Sequence, residues 1–164
     1  MKTHRITLLA MLIAISILFG YLEAILPLLI AIPGIKLGLA NIPIMFAVYK
    51  MRPLDVFLIS IVRVVILSLT FRNMLAFLFS LSGAIFSISI MLLFKQSKFF
   101  SVTGVSIAGG VAHNMGQIIM AALILQIPGL LYYFPLLIIA GIITGIIIGL
   151  ISGLLIERVN LSIK

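Results

Sequence analysis

The charged residues of this 164-residue chain occur in short clusters, separated by apolar runs about as long as a membrane-spanning helix. A bilayer core is about 30 Å thick, so an α-helix needs roughly 20 apolar residues to cross it. Mean hydropathy is +1.44 and 9% of the residues are charged, whereas about a quarter are charged in soluble domains. The pattern predicts an all-α integral membrane protein with a single transmembrane domain over residues 1–164.

Six hydrophobic segments predict a bundle of six transmembrane helices. The first helix is expected from about Ile6 to Leu26, and a loop rich in proline and glycine follows it. Only 13 residues lie between Lys36 and Lys50, which as a helix would reach about 20 Å and would not cross a bilayer alone. The second segment is therefore expected to be short or broken. The remaining helices are expected at about 54–71, 74–94, 99–125 and 130–156.

Basic residues divide unevenly between the two sides that six crossings would create. One side would hold eight of the eleven Lys and Arg residues: Lys2, Arg5, Lys50, Arg52, Lys95, Lys98, Arg158 and Lys164. The other would hold only Lys36 and Arg72. The positive-inside rule then predicts a multi-pass protein of the cell membrane with both termini in the cytoplasm. A five-helix alternative, with segment two as a re-entrant loop, would lose this asymmetry.

Arg63 falls near the middle of the third predicted helix. An arginine at that depth costs a few kcal/mol on insertion scales unless it reaches water or a partner. It is therefore expected to face the interior, either contacting a ligand or pairing with Glu23. Both alternatives remain open at this point.

The fifth helix carries a polar stripe. His113 and Gln117 are one turn apart, with glycines beside them, and Asn114 widens the polar surface. These groups either bind a ligand or bond neighbouring helices. The broken second segment adds Lys36 and Asn41, since interrupted segments often mark transporter sites. The predicted substrate-binding residues are Lys36, Asn41, Arg63, Arg72, His113, Asn114 and Gln117, and they favour an anionic or partly aromatic small molecule.

The sixth helix contains three consecutive G-x-x-x-G steps. Such a ridge lets another helix approach closely, and the partner helix is expected within this chain more often than in another. The glycines are Gly141, Gly145, Gly149 and Gly153.

Several function classes are excluded or disfavoured. The three acidic residues, Glu23, Asp55 and Glu157, are far apart in sequence, so they form no carboxylate cluster for Mg²⁺. Cysteine is absent, and there is no P-loop or nucleophile elbow. The net charge of +8 reflects the basic residues that gather on one side of the membrane, so no binding of nucleic acid is predicted. We expect no catalytic activity, no metal and no cofactor, and energy for transport from a gradient or a partner chain.

The six-helix pattern, the segment 33–41 and the run GGVAHNMGQ at 109–117 resemble the family labelled both heptaprenyl diphosphate synthase component I and Gx transporter. That family is similar to the S components of energy-coupling factor transporters, whose first helix docks on a shared transmembrane subunit through an A-x-x-x-A element. Ala10 and Ala14 match this element. The resemblance implies a substrate-binding subunit that works in the bilayer with a scaffold subunit and ATPase subunits.

The synthase label points to an alternative. Prenyl diphosphate synthases bind magnesium and diphosphate through aspartate-rich motifs, and this chain has none. The alternative is a noncatalytic membrane subunit of a quinone or flavin electron-transfer system or of an isoprenoid system. Covalent flavin is not expected, because Ser82-Gly83-Ala84-Ile85 lacks the threonine of the S-G-A-T attachment motif.

Overall fold

The structure, a computed structural model, describes residues 2–25, 37–71, 73–97 and 99–159. Six α-helices and one short 3₁₀ helix make up nearly all of this part of the chain, and it contains no strand. The α-helices are α1 (Lys2–Ile25), α2 (Asn41–Lys50), α3 (Pro53–Phe71), α4 (Met74–Gln96), α5 (Val102–Leu125) and α6 (Phe134–Arg158), and the 3₁₀ helix is Pro128–Tyr133. The predicted six-helix bundle with a short second helix is confirmed.

Helix starts follow local capping chemistry. The Asn73 side chain accepts a hydrogen bond from the Ala76 N–H at 2.9 Å and begins α4, and Ser101 does the same for α5 through Gly104. The prediction that the last helix begins near Leu130 was wrong by about one turn. The 3₁₀ helix comes first, and α6 begins with Pro135 in its first turn, where a proline needs no backbone donor.

One end of the bundle carries most of the charge, and we call it the charged end. Arg5 of α1 forms an ion pair with Asp55 of α3 and donates from Nε to Asp55 Oδ2 at 3.0 Å. Near the other end of these helices, Gly20 packs on Leu67. Helices α1 and α3 therefore run in the same direction. The described basic residues at the charged end are Lys2, Arg5, Lys50, Arg52, Lys95 and Arg158.

Helix α2 runs back toward the charged end inside the bundle. Its ten residues reach about 15 Å, half of a bilayer core. All seven residues from Ile42 to Val48 are buried. At its carboxyl end, Lys95 donates to the Val48 carbonyl oxygen at 2.6 Å and lies over the Tyr49 ring. Because α2 fills only the half of the bundle next to the charged end, it leaves space in the other half.

Helices α5 and α6 pack antiparallel along the glycine ridge. A Cβ added to Gly141 would lie 3.0 Å from the Val111 backbone, and one added to Gly149 would lie 2.7 Å from Thr103 Cα. Gly145 meets Ile107 in the same way, but among the described residues the nearest atom to a Cβ on Gly153 is Val102 Cγ1, at 3.9 Å. Three of the four glycines thus pack on a helix of the same chain.

Five of the helical segments are long and apolar enough to cross a membrane, and α2 is not among them. Their outer faces expose large apolar side chains, including Leu69, Leu123 and Leu154. Water does not solvate such surfaces well, whereas lipid does. The chain is a multi-pass membrane protein.

Candidate functional site

A cavity of about 90 Å³ occupies the half of the bundle away from the charged end, next to the start of α2. All six α-helices and the turn before α2 contribute to its wall. Five residues predicted as ligand contacts line it: Asn41, Arg63, His113, Asn114 and Gln117. The wall also contains Gly20, Glu23, Gly38, Ala40, Val64, Leu67, Ser68, Ser80, Gly110, Ala140 and Thr144.

The turn before α2 contributes Gly38 and Ala40 to the wall. Gly38 has a positive φ of 77°, a conformation that costs glycine little, and a Cβ there would lie 2.8 Å from Ile148 Cδ1. The Asn41 N–H donates to the Gly38 carbonyl at 2.7 Å. The Leu39 N–H donates to Glu23 Oε1 at 2.8 Å. The turn is thereby fixed to α1.

Arg63 reaches the same turn from α3. Its side chain is buried, with 7% of its surface exposed, and its Nη1 donates to Asn41 Oδ1 at 2.9 Å. Glu23, the alternative ion-pair partner, lines the same cavity. The two interpretations of Arg63, ligand contact and pairing with Glu23, therefore concern one cavity and not two separate places.

The polar stripe of α5 faces the cavity as the helical spacing predicts. Gln117 Nε2 donates to His113 Nε2 at 2.9 Å, since an amide nitrogen does not accept hydrogen bonds. Asn114 Nδ2 donates to the Leu137 carbonyl of α6 at 2.7 Å. Asn114 thus lines the cavity and also makes the helix-to-helix bond that was the alternative to a binding role.

Close packing of α4 against α5 sets the position of this stripe. Ser82 Oγ donates to the Gly116 carbonyl oxygen at 2.9 Å. A Cβ on Gly83 would lie 2.8 Å from the His113 carbonyl oxygen, and one on Gly116 would lie 2.9 Å from the Ser82 carbonyl oxygen. Larger residues at these glycines would force the two helices apart and move His113.

Two predicted ligand residues, Lys36 and Arg72, lie outside the described residues. Sequence reasoning did not include four polar residues in the predicted contact set: Glu23, Ser68, Ser80 and Thr144. A serine or threonine in an apolar helix is too common to mark a site by itself. Thr144 is such a residue, and its hydroxyl donates to the Ala140 carbonyl oxygen of its own helix, a bond that any membrane helix can accommodate.

The described wall of the cavity has no donor set typical of a metal site. Within the described parts of the chain, no three His, Cys, Asp or Glu side chains come together. Of the three acidic residues, Glu23 lines the cavity, while Asp55 and Glu157 lie near the charged end. The described part of the wall offers hydrogen bonds and one charged side chain of each sign, Arg63 and Glu23.

The predicted docking pair lies on the outer surface of α1. Ala10 and Ala14 are exposed, whereas Leu12 and Ser16 on the opposite side of the helix are buried. The pair is one turn apart and on the half of α1 that is nearer to the charged end. Its small side chains leave this stretch of the helix backbone accessible to another helix.

Comparison with known proteins identifies a family to which the chain is similar. Residues 12–155, nearly the whole chain, match the family described as heptaprenyl diphosphate synthase component I. No curated protein and no solved structure matches the chain. The matched range includes the cavity wall and the glycine ridge. The chain belongs to the heptaprenyl diphosphate synthase component I family of membrane proteins.

Proposed function

We propose that this chain is a substrate-binding membrane subunit, which takes a small molecule into the cavity and depends on a scaffold subunit and ATPase subunits for uptake. The observation that carries the proposal is the convergence of Asn41, Arg63 and the α5 stripe on one cavity. Polar groups are costly inside a membrane. Several of them gathered from separate helices around one space favour a wet site that receives a ligand.

The position of the cavity favours uptake over a purely structural role. It lies in the half of the bundle away from the charged end, and the positive-inside rule places the charged end in the cytoplasm. The site is then nearer the outside of the cell. An interrupted helix beside it, here α2, is a common feature of transporter sites.

Energy must come from elsewhere, because the sequence contains no nucleotide-binding loop. The exposed Ala10 and Ala14 surface offers a place for a scaffold helix. The resemblance of this pair to the docking element of S components supports that assignment.

The same residues support a noncatalytic role within this proposal. A diphosphate-bound Mg²⁺ needs several carboxylate oxygens, and only Glu23 among the acidic residues lines the cavity. The cavity volume also disfavours the alternative, a membrane subunit of a quinone, flavin or isoprenoid system. At about 90 Å³, the cavity is well below the 300 Å³ or so at which pockets for larger ligands begin.

The test is recovery of partner subunits with the Ala10→Leu, Ala14→Leu double variant. Leucine keeps the helix apolar, so insertion should persist, while its bulk should keep a scaffold helix away. We expect the tagged wild-type chain to copurify from native membranes with a scaffold and ATPases, and the double variant to lose them. Ala24→Leu, exposed on the same helix at the other end, is the matched control and should retain them.

Unchanged partner recovery with the double variant would refute docking through this surface. Copurification of redox subunits or bound quinone with the wild-type chain, in place of ATPases, would favour the alternative.

A further inference from the structure

Three basic residues gather around one carboxylate where α1, α2 and α3 meet at the charged end. The Asp55 carboxylate pairs with Arg5 of α1, and Arg52 is close enough for its charge to act on the same carboxylate. Lys50 ends α2 two positions before Arg52, so the Cα atoms of these two residues are separated by at most about 7 Å. We call Arg5, Lys50 and Arg52 the basic cluster.

The acidic residues of the chain leave the basic cluster with an excess of positive charge. The Asp55 side chain is 4% exposed and the Arg5 side chain 37%, so this ion pair turns its positive member toward the surface. Glu23 lines the cavity, away from the charged end. The third acidic residue, Glu157, forms no salt bridge with the cluster among the described residues. The stretches outside the described ranges contain no Asp or Glu, so they cannot supply the missing side-chain carboxylates.

An apolar strip on α3 begins next to the basic cluster. Leu54 is 80% exposed and Leu58 is 48% exposed, and a spacing of four residues puts both on one face of the helix. Leu58 lies about 9 Å from Arg52 along the helix axis. Since α3 is long and apolar enough to cross a membrane, this strip meets acyl chains, while Arg52 is exposed at the helix end, the level of the headgroups.

We propose that the basic cluster binds the phosphate of an anionic phospholipid in the leaflet next to the charged end, with an acyl chain along Leu54 and Leu58. Guanidinium groups match phosphate oxygens in geometry. Each basic residue near a membrane surface favours anionic lipid by about fivefold. A soluble phosphate compound would answer the charge but leave the apolar strip uncovered, whereas a phospholipid covers both. The lipid site is separate from the cavity and its ligand.

The first test measures which lipid occupies this surface. The chain contains no tryptophan, so Leu58→Trp introduces a single indole on the apolar strip. The purified variant is placed in bilayers of phosphatidylcholine and phosphatidylglycerol, and the brominated acyl chains that quench the indole are carried by one lipid or by the other. We expect phosphatidylglycerol to be preferred at least about fivefold at position 58. High salt should weaken the preference, because exposed charges are screened.

The second test removes one cation of the cluster in the Leu58→Trp chain. Arg52→Gln takes away an exposed charge and leaves the ion pair of Arg5 with Asp55 in place. We expect the preference for phosphatidylglycerol to fall about three- to fivefold, and Arg52→Lys to keep most of it. Arg158→Gln is the matched control, because it makes the same exchange on an exposed arginine at the end of α6. It should leave the preference at position 58 unchanged.

Equal occupancy by the two lipids, or equal losses in Arg52→Gln and Arg158→Gln, would overturn the proposal. Loss of the preference on addition of excess glycerol 3-phosphate would show a site for soluble phosphate compounds instead of a lipid site. Loss of copurifying subunits from Arg52→Gln with an unchanged lipid preference would assign the cluster to an acidic surface of a partner protein. The lipid measurements use the purified chain alone, so their outcome is independent of the copurification test of the proposed function.

Discussion

Gly145 gives the sharpest test of the α5 and α6 packing. A Cβ at this position would lie 2.6 Å from Ile107 Cα, 3.0 Å from Ile107 N and 3.1 Å from the Ser106 carbonyl oxygen. Carbon atoms in good contact are about 3.5–4.0 Å apart. These three nearest atoms all belong to the α5 backbone, so no side-chain rotation relieves the overlap. Gly145→Ala must therefore push the two helices apart by close to 1 Å.

The cost of this shift follows from the energetics of overpacking. Adding carbon to a well-packed interior typically costs about 1–3 kcal/mol. Alanine also gains roughly 1 kcal/mol over glycine as a helix former, so the net loss is about 0–2 kcal/mol. Gly153→Ala is the matched control, because the nearest atom of the described residues would lie 3.9 Å from its Cβ. It keeps the helix gain without the overlap.

The measurement is the free energy of unfolding in mixed dodecylmaltoside and SDS micelles, followed by far-UV circular dichroism. We expect Gly153→Ala to be more stable than Gly145→Ala by about 1–3 kcal/mol, since the helix gain cancels in the comparison. Equal stability of the two variants would show that α5 does not approach α6 as closely as the structure has it.

Two further predictions concern topology and the cavity wall. The chain has no cysteine, so a single cysteine introduced at position 129 should react with an impermeant reagent added to intact cells, and one introduced at position 96 should not. Labelling at position 96 but not at position 129 would show that the orientation is the opposite of the predicted one. Asn114→Ala should lower the free energy of unfolding by about 0.5–1.5 kcal/mol, the value of a neutral hydrogen bond, because it loses the bond to Leu137 of α6. Gln117→Ala should instead mainly reduce the amount of native ligand that copurifies, measured by mass spectrometry, and the same stability loss in both variants would contradict the distinction.

The helical architecture could be predicted because it depends on one-dimensional quantities. The length of an apolar run decides whether a helix crosses a bilayer, and the 13 residues between Lys36 and Lys50 were enough to predict a short α2. The period of 3.6 residues likewise put His113 and Gln117 on one face, and both line the cavity. Neither inference needed knowledge of neighbouring helices.

What could not be predicted depends on pairs of helices. Asn114 and Gln117 carry similar amides, and only the position of the Leu137 carbonyl separates the residue that bonds α6 from the residue that bonds His113. Gly153 follows the same spacing as Gly149, but α5 begins at Val102 and ends the close contact there. Glu23 enters the cavity wall because the turn before α2 reaches it.

Helix α2 also separates the cavity from the charged end. Its seven buried residues from Ile42 to Val48 form a dry layer about 10 Å thick along the helix axis. An ion that reached the cavity would have to enter that layer without water, at a cost of several kcal/mol. We therefore expect this layer to resist the passage of ions between the cavity and the charged end.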